Sequence, residues 1–169
     1  MPSNIEIKAR VADPARLRML AERLSDTPAV TIEQHDTFFA CARGRLKLRQ
    51  FSAASGELIC YSRADVAGTK QSDYAIARTA SPSDMLTVLS TALEVQRTVI
   101  KSRVLLQVGQ TRIHLDSVQG LGSFVELEVV LREGQPAQEG HRIARELMDA
   151  LEIRESDLVE GAYADLLAS

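Results

Sequence analysis

Residues 4–11 read NIEIKARV, and this octet decides the fold class. It alternates without a fault. Ile5, Ile7, Ala9 and Val11 share one side of an extended chain; Asn4, Glu6, Lys8 and Arg10 share the other. A period of two over eight residues predicts a strand with one apolar and one polar face. Asp13-Pro14 follows at once, an N-cap with proline at the first helical position. Leu17, Leu20, Ala21 and Leu24 then repeat at helical spacing, so the chain passes from strand to amphipathic helix.

The alternation recurs along the chain. A strand region near 33–42 ends before a turn at Gly44, and 45–51 sets Leu46 and Leu48 against Arg45, Lys47 and Arg49. Ser55-Gly56 marks a hairpin turn, after which Ile59, Tyr61 and Arg63 share one side of 57–63. A short strand near 71–79 precedes Ser81-Pro82, a second cap signal, and a helix carrying Leu86, Leu89 and Leu93. Strands resume at 97–108, with Lys101 and Arg103 on one face, and at 111–118, with Arg112, His114 and Asp116 together. Gly120 and Gly122 make a turn into 124–132, where Glu126 and Glu128 oppose Val125, Leu127, Val129 and Leu131. Helices are predicted near 138–151 and 156–167. About eight strands in hairpin-like runs and four helices indicate an α+β fold with a mainly antiparallel sheet.

At 169 residues the chain suits one domain, 1–169. Hydrophobic residues are 45% and aromatics 4% with no Trp, so an aliphatic core is expected. Twenty Lys and Arg against 23 Asp and Glu leave a formal charge of −3, which argues against a nucleic-acid partner. Cys41 and Cys60 fit no metal spacing and are expected as free thiols. No secretory leader pattern opens the sequence, and no apolar run reaches the roughly 18 residues a membrane span needs. A cytoplasmic protein with no membrane partner is expected.

The polar faces of the strands carry the functional signal. Lys47 and Arg49 are like charges two residues apart; so are Lys101 and Arg103, and so are Glu126 and Glu128. Like charges on one face of a sheet repel, and a merely solvated face has no need of them. Nine cations (Lys8, Arg10, Lys47, Arg49, Arg63, Lys70, Lys101, Arg103 and Arg112) accompany four anions (Glu6, Asp116, Glu126 and Glu128), a surplus of five in a chain of charge −3. If the sheet curls with this face inward, each dry unpaired ion costs several kcal/mol. The interior must then be a wet channel holding an anion, a metal or both. Arg grips phosphate oxygens bidentately, Lys acts as a point charge, and carboxylates two apart on a strand suit Mg²⁺ or Mn²⁺.

These motifs resemble a known family. NIEIKARV is similar to the ExExK strand signature of the CYTH superfamily, the triphosphate tunnel metalloenzymes. GRLKLRQF, VIKSR at 99–103, TRIHLDSVQGLGSFVELEVVL and the terminal AYADLL resemble, in family order, the class IV adenylyl cyclases and related CYTH proteins. The resemblance implies an eight-stranded antiparallel β tunnel, open at both ends, with helices outside. It implies Glu6, Glu126 and Glu128 as ligands of Mg²⁺ or Mn²⁺. Lys8, Arg10, Lys47, Arg49, Lys101 and Arg103 would bind phosphate, with Arg63, Lys70 and Arg112 as further phosphate ligands. Asp116 would sit near the metal or orient a basic neighbour; Glu6, Lys8, Lys101, Arg103 and Asp116 would form the catalytic set. The first Glu of ExExK is replaced by Asn4, which offers a carbonyl oxygen without charge and puts a second metal in doubt.

The activity implied is metal-dependent hydrolysis of a small-molecule triphosphate: tripolyphosphate, or a nucleoside or thiamine triphosphate. One alternative is a class IV adenylyl cyclase releasing cyclic AMP and pyrophosphate; another is a non-catalytic polyphosphate or nucleotide sensor. Related tunnel proteins often pair, so a homodimer is an open expectation, although no apolar patch in the sequence demands one. His114 reads as a hydrogen-bonded structural histidine rather than a base.

Overall fold

The computed structural model describes residues 2–64 and 66–168. The alternating octet lies in β1 (Ser3–Arg10), and α1 (Pro14–Leu24) begins where predicted, with the Asp13 carboxylate accepting from the Arg16 amide at 3.1 Å. The chain continues through β2 (Val30–Phe39), β3 (Arg45–Ser52), β4 (Ser55–Arg63), β5 (Lys70–Thr79), α2 (Pro82–Ala92), β6 (Val95–Val108), β7 (Thr111–Val118), β8 (Gly122–Val130) and α3 (Ala137–Ala150). The strands close into a barrel in the order β1-β5-β4-β3-β2-β6-β7-β8, and every described pairing is antiparallel. Closure leaves no free sheet edge.

The apolar faces point outward and the helices cover them, so the main core lies outside the barrel. Ile5, Ile7 and Ala9 of β1 pack with Val125, Leu127 and Val129 of β8 against Leu17 and Ala21 of α1 and Ala144, Leu147 and Met148 of α3. Gly140 sets the closeness of α3: a Cβ there would stand 2.6 Å from Ile5 Cγ1 and 2.7 Å from Leu131 Cδ2. Cys41 and Cys60 are free and exposed. Among the described residues no helix is long and apolar enough to cross a membrane.

Two expectations are corrected. The helix predicted over 156–167 is a 3-10 turn (Glu155–Asp157) and a separate short helix, α4 (Tyr163–Leu167). Between them the chain is extended: Leu158 bridges Ala9, the Val159 amide donates to the Lys8 carbonyl, and Gly161 turns with φ +74°, a conformation an L side chain resists. The tunnel is also not equally open at its two ends. Phe38, Val99, Val118 and Phe124 converge at one end of the barrel, and Tyr163 and Ala164 of α4 pack over them. Phe124 and Val99 are each 1% exposed, so the β6–β8 side of that end is packed, while a second cavity of about 320 Å³, lined by Phe38, Tyr61 and Arg63, lies on its β3–β4 side.

Candidate functional site

Curling the polar faces inward produces a cavity of about 600 Å³ inside the barrel. Glu6, Lys8, Lys47, Arg49, Arg63, Lys101, Arg103, Arg112, Glu126 and Glu128 all line it. Three residues from the sequence set do not. Arg10 lies past the end of the cavity wall, exposed, with its guanidinium 5.1 Å from the Phe124 ring centre. Lys70 is buried opposite Glu6 in the β1–β5 ladder, and its Nζ donates to the Val66 carbonyl at 3.1 Å. Asp116 sits behind the cationic wall, not on it.

In that position Asp116 holds basic neighbours in place. Its carboxylate accepts from Arg103 Nε and Nη2, both at 2.7 Å, and from the Tyr163 hydroxyl at 2.9 Å, with Lys101 Nζ 3.4 Å away. Asp36, which the sequence reading passed over, does the same for β3. It accepts from Arg49 at 2.8 and 2.7 Å and from Lys47 at 3.1 Å. In each case the Asp stands directly across the ladder from the Arg of a Lys-x-Arg strand, Asp36 from Arg49 and Asp116 from Arg103. Burial pushes both carboxyls up, but the adjacent cations outweigh it, holding Asp36 well below the usual carboxylate range and Asp116 at about 2. The bidentate geometry locks the guanidiniums so that their remaining N–H groups face the cavity.

Tyr163 is a second residue that the sequence reading missed. Lys8 and Lys101 lie over its ring at 4.1 and 4.7 Å from the centre. The preceding turn contributes the Gly161 carbonyl, which accepts from Lys8 Nζ at 3.1 Å and Arg63 Nη2 at 3.2 Å. The C-terminal segment therefore holds two lysines and an arginine in place at the α4 end of the barrel.

The wall carries eight cations, because Arg78 joins those already named, against five carboxylates: Glu6, Asp36, Glu57, Glu126 and Glu128. The surplus is three, smaller than the five counted from sequence, since Asp36 and Glu57 were not in that count. Even so, the cations are crowded. Burial lowers Lys8 to about 8 and pushes Lys47 and Lys101 down, with Arg49 and Arg103 adding repulsion to the last two.

This crowding yields a stability prediction. Lys101→Met keeps most of the side-chain volume and leaves Asp116 paired with Arg103 and Tyr163. Removing a cation that burial and the neighbouring Arg103 already disfavour, while its carboxylate keeps other partners, is expected to stabilise the protein by about 1–2 kcal/mol. The empty variant is expected to melt a few degrees above the wild type at pH 6, at roughly 2–4 °C per kcal/mol for this size. Because the folded-state pKa is depressed, the burden is full below that pKa and gone above the ordinary lysine range, so the gain shrinks as pH rises. An equal or lower melting temperature at pH 6 would show that the charge is no burden.

The carboxylates cluster on β1 and β8. Glu6 stands directly across the ladder from Glu128, and Lys8 from Glu126. Burial raises the pKa of Glu6 against the pull of Arg63, 2.6 Å away, and its neighbours Glu128 and Glu126 raise it further. Arg103 Nη2 lies 3.0 Å from Glu126 Oε2, and Arg112 Nη2 lies 2.9 Å from Glu128 Oε1. His114 lies between these two carboxylates, 3.5 Å from Glu126 and 3.6 Å from Glu128; burial and Arg103 lower its pKa, which leaves it neutral at pH 7. Among the described residues no three His, Cys, Asp or Glu side chains form a preformed ion cage. The donor chemistry nevertheless fits a hard divalent cation. The Asn4 amide donates to Glu128, while its own Oδ1 is buried without a hydrogen-bond partner beside these carboxylates. An unpartnered carbonyl oxygen among carboxylates is an unfilled acceptor where a cation would be held.

The sequence matches the CYTH domain family model over residues 3–163. The chain belongs to the CYTH family. Solved structures with the same fold include the PH1012 protein of Pyrococcus horikoshii OT3, at 20% identity and TM-score 0.85, covering 96% of this chain and 98% of that one. A provisionally assigned adenylate cyclase from Vibrio parahaemolyticus aligns at 17% identity and TM-score 0.78 over 98% of both chains. A provisionally assigned adenylyl cyclase from Hippeastrum, described as having a dominant triphosphatase activity, aligns at 17% identity and TM-score 0.66 over 89% of this chain and 88% of that one. No curated protein matches the sequence. At these identities the neighbours establish the CYTH barrel, and the chemistry must be read from this chain's own cavity.

Proposed function

We propose that the barrel binds a triphosphate group and that the protein is a divalent-metal-dependent phosphohydrolase acting on it. The carrying observation is eight cations against five carboxylates lining one cavity, with two Lys-x-Arg strands each braced by a buried aspartate. A triphosphate carries roughly four negative charges at neutral pH, and a divalent cation offsets two of them. Either form balances the wall to within a charge or so. The Hippeastrum relative, with its dominant triphosphatase activity, supports the same reading.

Lys8, Lys101, Arg103, Lys47 and Arg49 hold the phosphate oxygens in this reading and fix the chain for in-line attack by water on a phosphorus. Their charge offsets the charge that develops on the leaving oxygen. As the anion takes up Arg63, Arg103 and Arg112, it draws them from Glu6, Glu126 and Glu128. With the Asn4 oxygen, these would hold Mg²⁺ or Mn²⁺. The bound cation supplies Lewis-acid polarisation of a phosphate oxygen and a lowered pKa for bound water. Attack breaks one P–O bond and releases orthophosphate.

The test is incubation of purified protein with Mg²⁺ or Mn²⁺ and either tripolyphosphate or ATP. Metal-dependent orthophosphate release is expected. Cyclic AMP with pyrophosphate would instead make the protein a cyclase, for which the likeness to the Vibrio protein is the support. Thermal stabilisation without turnover would make it a sensor; a ligand at a hundred times its Kd adds about 2.7 kcal/mol.

A further inference from the structure

The second cavity, of about 320 Å³ at the α4 end of the barrel, has a wall of its own kind. Arg45 of β3, Tyr61, Ser62 and Arg63 of β4 and Gln96 of β6 supply its polar side chains, each of which can donate a hydrogen bond. Among the described residues no Asp or Glu lines it. The carboxylates that pair its two arginines stand outside the wall: Asp165 holds Arg45 at 2.8 Å, and Glu6 holds Arg63 from the barrel side. Burial pushes the Tyr61 hydroxyl up to about 12, so it remains an O–H donor at neutral pH.

One donor in this set is unused. The Arg63 side chain is 8% exposed; its Nη1 donates to Glu6 and its Nη2 to the Gly161 carbonyl, while its Nε is buried with no hydrogen-bond partner. A buried N–H without an acceptor is rare, and it marks a place that an accepting group completes. Arg63 lines both cavities, as do Tyr61 and Phe38, so the orphaned donor stands at their junction. Guanidiniums and hydroxyls with no carboxylate among them reject a metal cation and suit an oxyanion, whose oxygens accept from all of them.

We propose that this second cavity binds inorganic phosphate, with Arg63 on its barrel side and Arg45 on its outer side. The site goes beyond the triphosphate reading, and only one of two origins for its phosphate rests on that reading. The ion either passes from the barrel past Arg63 or enters from solution, and the experiment separates the two. Orthophosphate is titrated by calorimetry into the full chain, in chelator, after the barrel has been saturated with tripolyphosphate. Wild type is expected to take up a further equivalent. Arg45→Met and Ser62→Asp should each weaken that uptake by about tenfold or more and leave tripolyphosphate binding within about twofold, since a charge-assisted contact is lost or an anion added at the second cavity alone. Ser62 is exposed, so its aspartate variant disturbs no packing and keeps the test decisive if loss of the Arg45–Asp165 pair loosens α4. No orthophosphate uptake by wild type, or an uptake that Ser62→Asp leaves unchanged, overturns the site and leaves the triphosphate reading standing. Failure of tripolyphosphate to bind, with orthophosphate uptake still lost in Ser62→Asp, overturns that reading and keeps this site. Turnover of tripolyphosphate with Mg²⁺ then assigns the origin. A fall in kcat at unchanged KM in Ser62→Asp means that the ion comes from the barrel as product. An unchanged kcat, with added orthophosphate inhibiting wild type and not the variant, means that it comes from solution.

Discussion

Asp116→Ala is expected to destabilise the empty protein by about 3–5 kcal/mol, the usual penalty for stripping one partner from a buried ionic cluster. For a chain of this size that lowers the melting temperature by on the order of 10 °C. Asp116 is 3% exposed and receives Arg103 twice, Tyr163 and Lys101. After the substitution Arg103 keeps only Glu126, 3.0 Å away, and Lys101 retains the Tyr163 ring but no carboxylate in contact. The double variant Asp116→Ala with Lys101→Met should recover part of the loss, because one of the stranded cations is gone; unrelated sites would simply add. The pH dependence is also specified. A depressed carboxyl contributes stability above its unfolded value, near 4, and loses it as pH falls through the folded value, here about 2. The gap in stability between wild type and Asp116→Ala should therefore be constant from pH 7 to about pH 5 and close as pH falls towards 2. A gap under 1 kcal/mol at pH 7 would show that Asp116 is not the anchor of the Lys-x-Arg strand.

The residues that the sequence made legible are those whose neighbours alternate cleanly. β1, β3, β7 and β8 each keep a period of two, so Glu6, Lys8, Lys47, Arg49, Arg112, Glu126 and Glu128 could be assigned to a common face before any pairing was known. β2 breaks that rule: Asp36, Thr37, Phe38 and Phe39 are buried in succession, because the β2 end near α4 is covered on both faces. A strand buried on two sides shows no alternation, so Asp36 carried no mark as an inward residue. Tyr163 was hidden differently. AYADLL reads as a helix, and only the extended segment before it, fixed by the Leu158–Ala9 bridge and the Gly161 turn, swings the ring over Lys8 and Lys101. The apolar part of the cavity wall was invisible for a third reason. Phe51, Ile76 and Leu105 line the cavity but look like core residues in sequence, and nothing local tells a side chain that faces a wet cavity from one under a helix. Pairing register, not propensity, decided all three.

Glu126→Gln should separate the metal from the anion. The substitution keeps the shape of the side chain and removes its charge. Arg103 retains Asp116, and Lys8 retains the Gly161 carbonyl and the Tyr163 ring, so the fold is expected to survive. Two opposed changes follow. Without metal, the cavity has one more unbalanced positive charge, and tripolyphosphate should bind as tightly as in wild type or more tightly. With Mg²⁺ or Mn²⁺, one of three anionic oxygen donors is neutral, and metal-dependent turnover should fall a hundredfold or more, since even outer-shell changes at metal sites cost about 10–100-fold. Calorimetry with tripolyphosphate in chelator, beside phosphate release with metal, reads both. The sign of the first change matters most. A purely structural fault would weaken anion binding and turnover together, whereas loss of a metal ligand moves them apart. Turnover within a few-fold of wild type would remove Glu126 from the metal site and leave the phosphate assignments, which rest on Asp36, Asp116 and their paired cations, untouched.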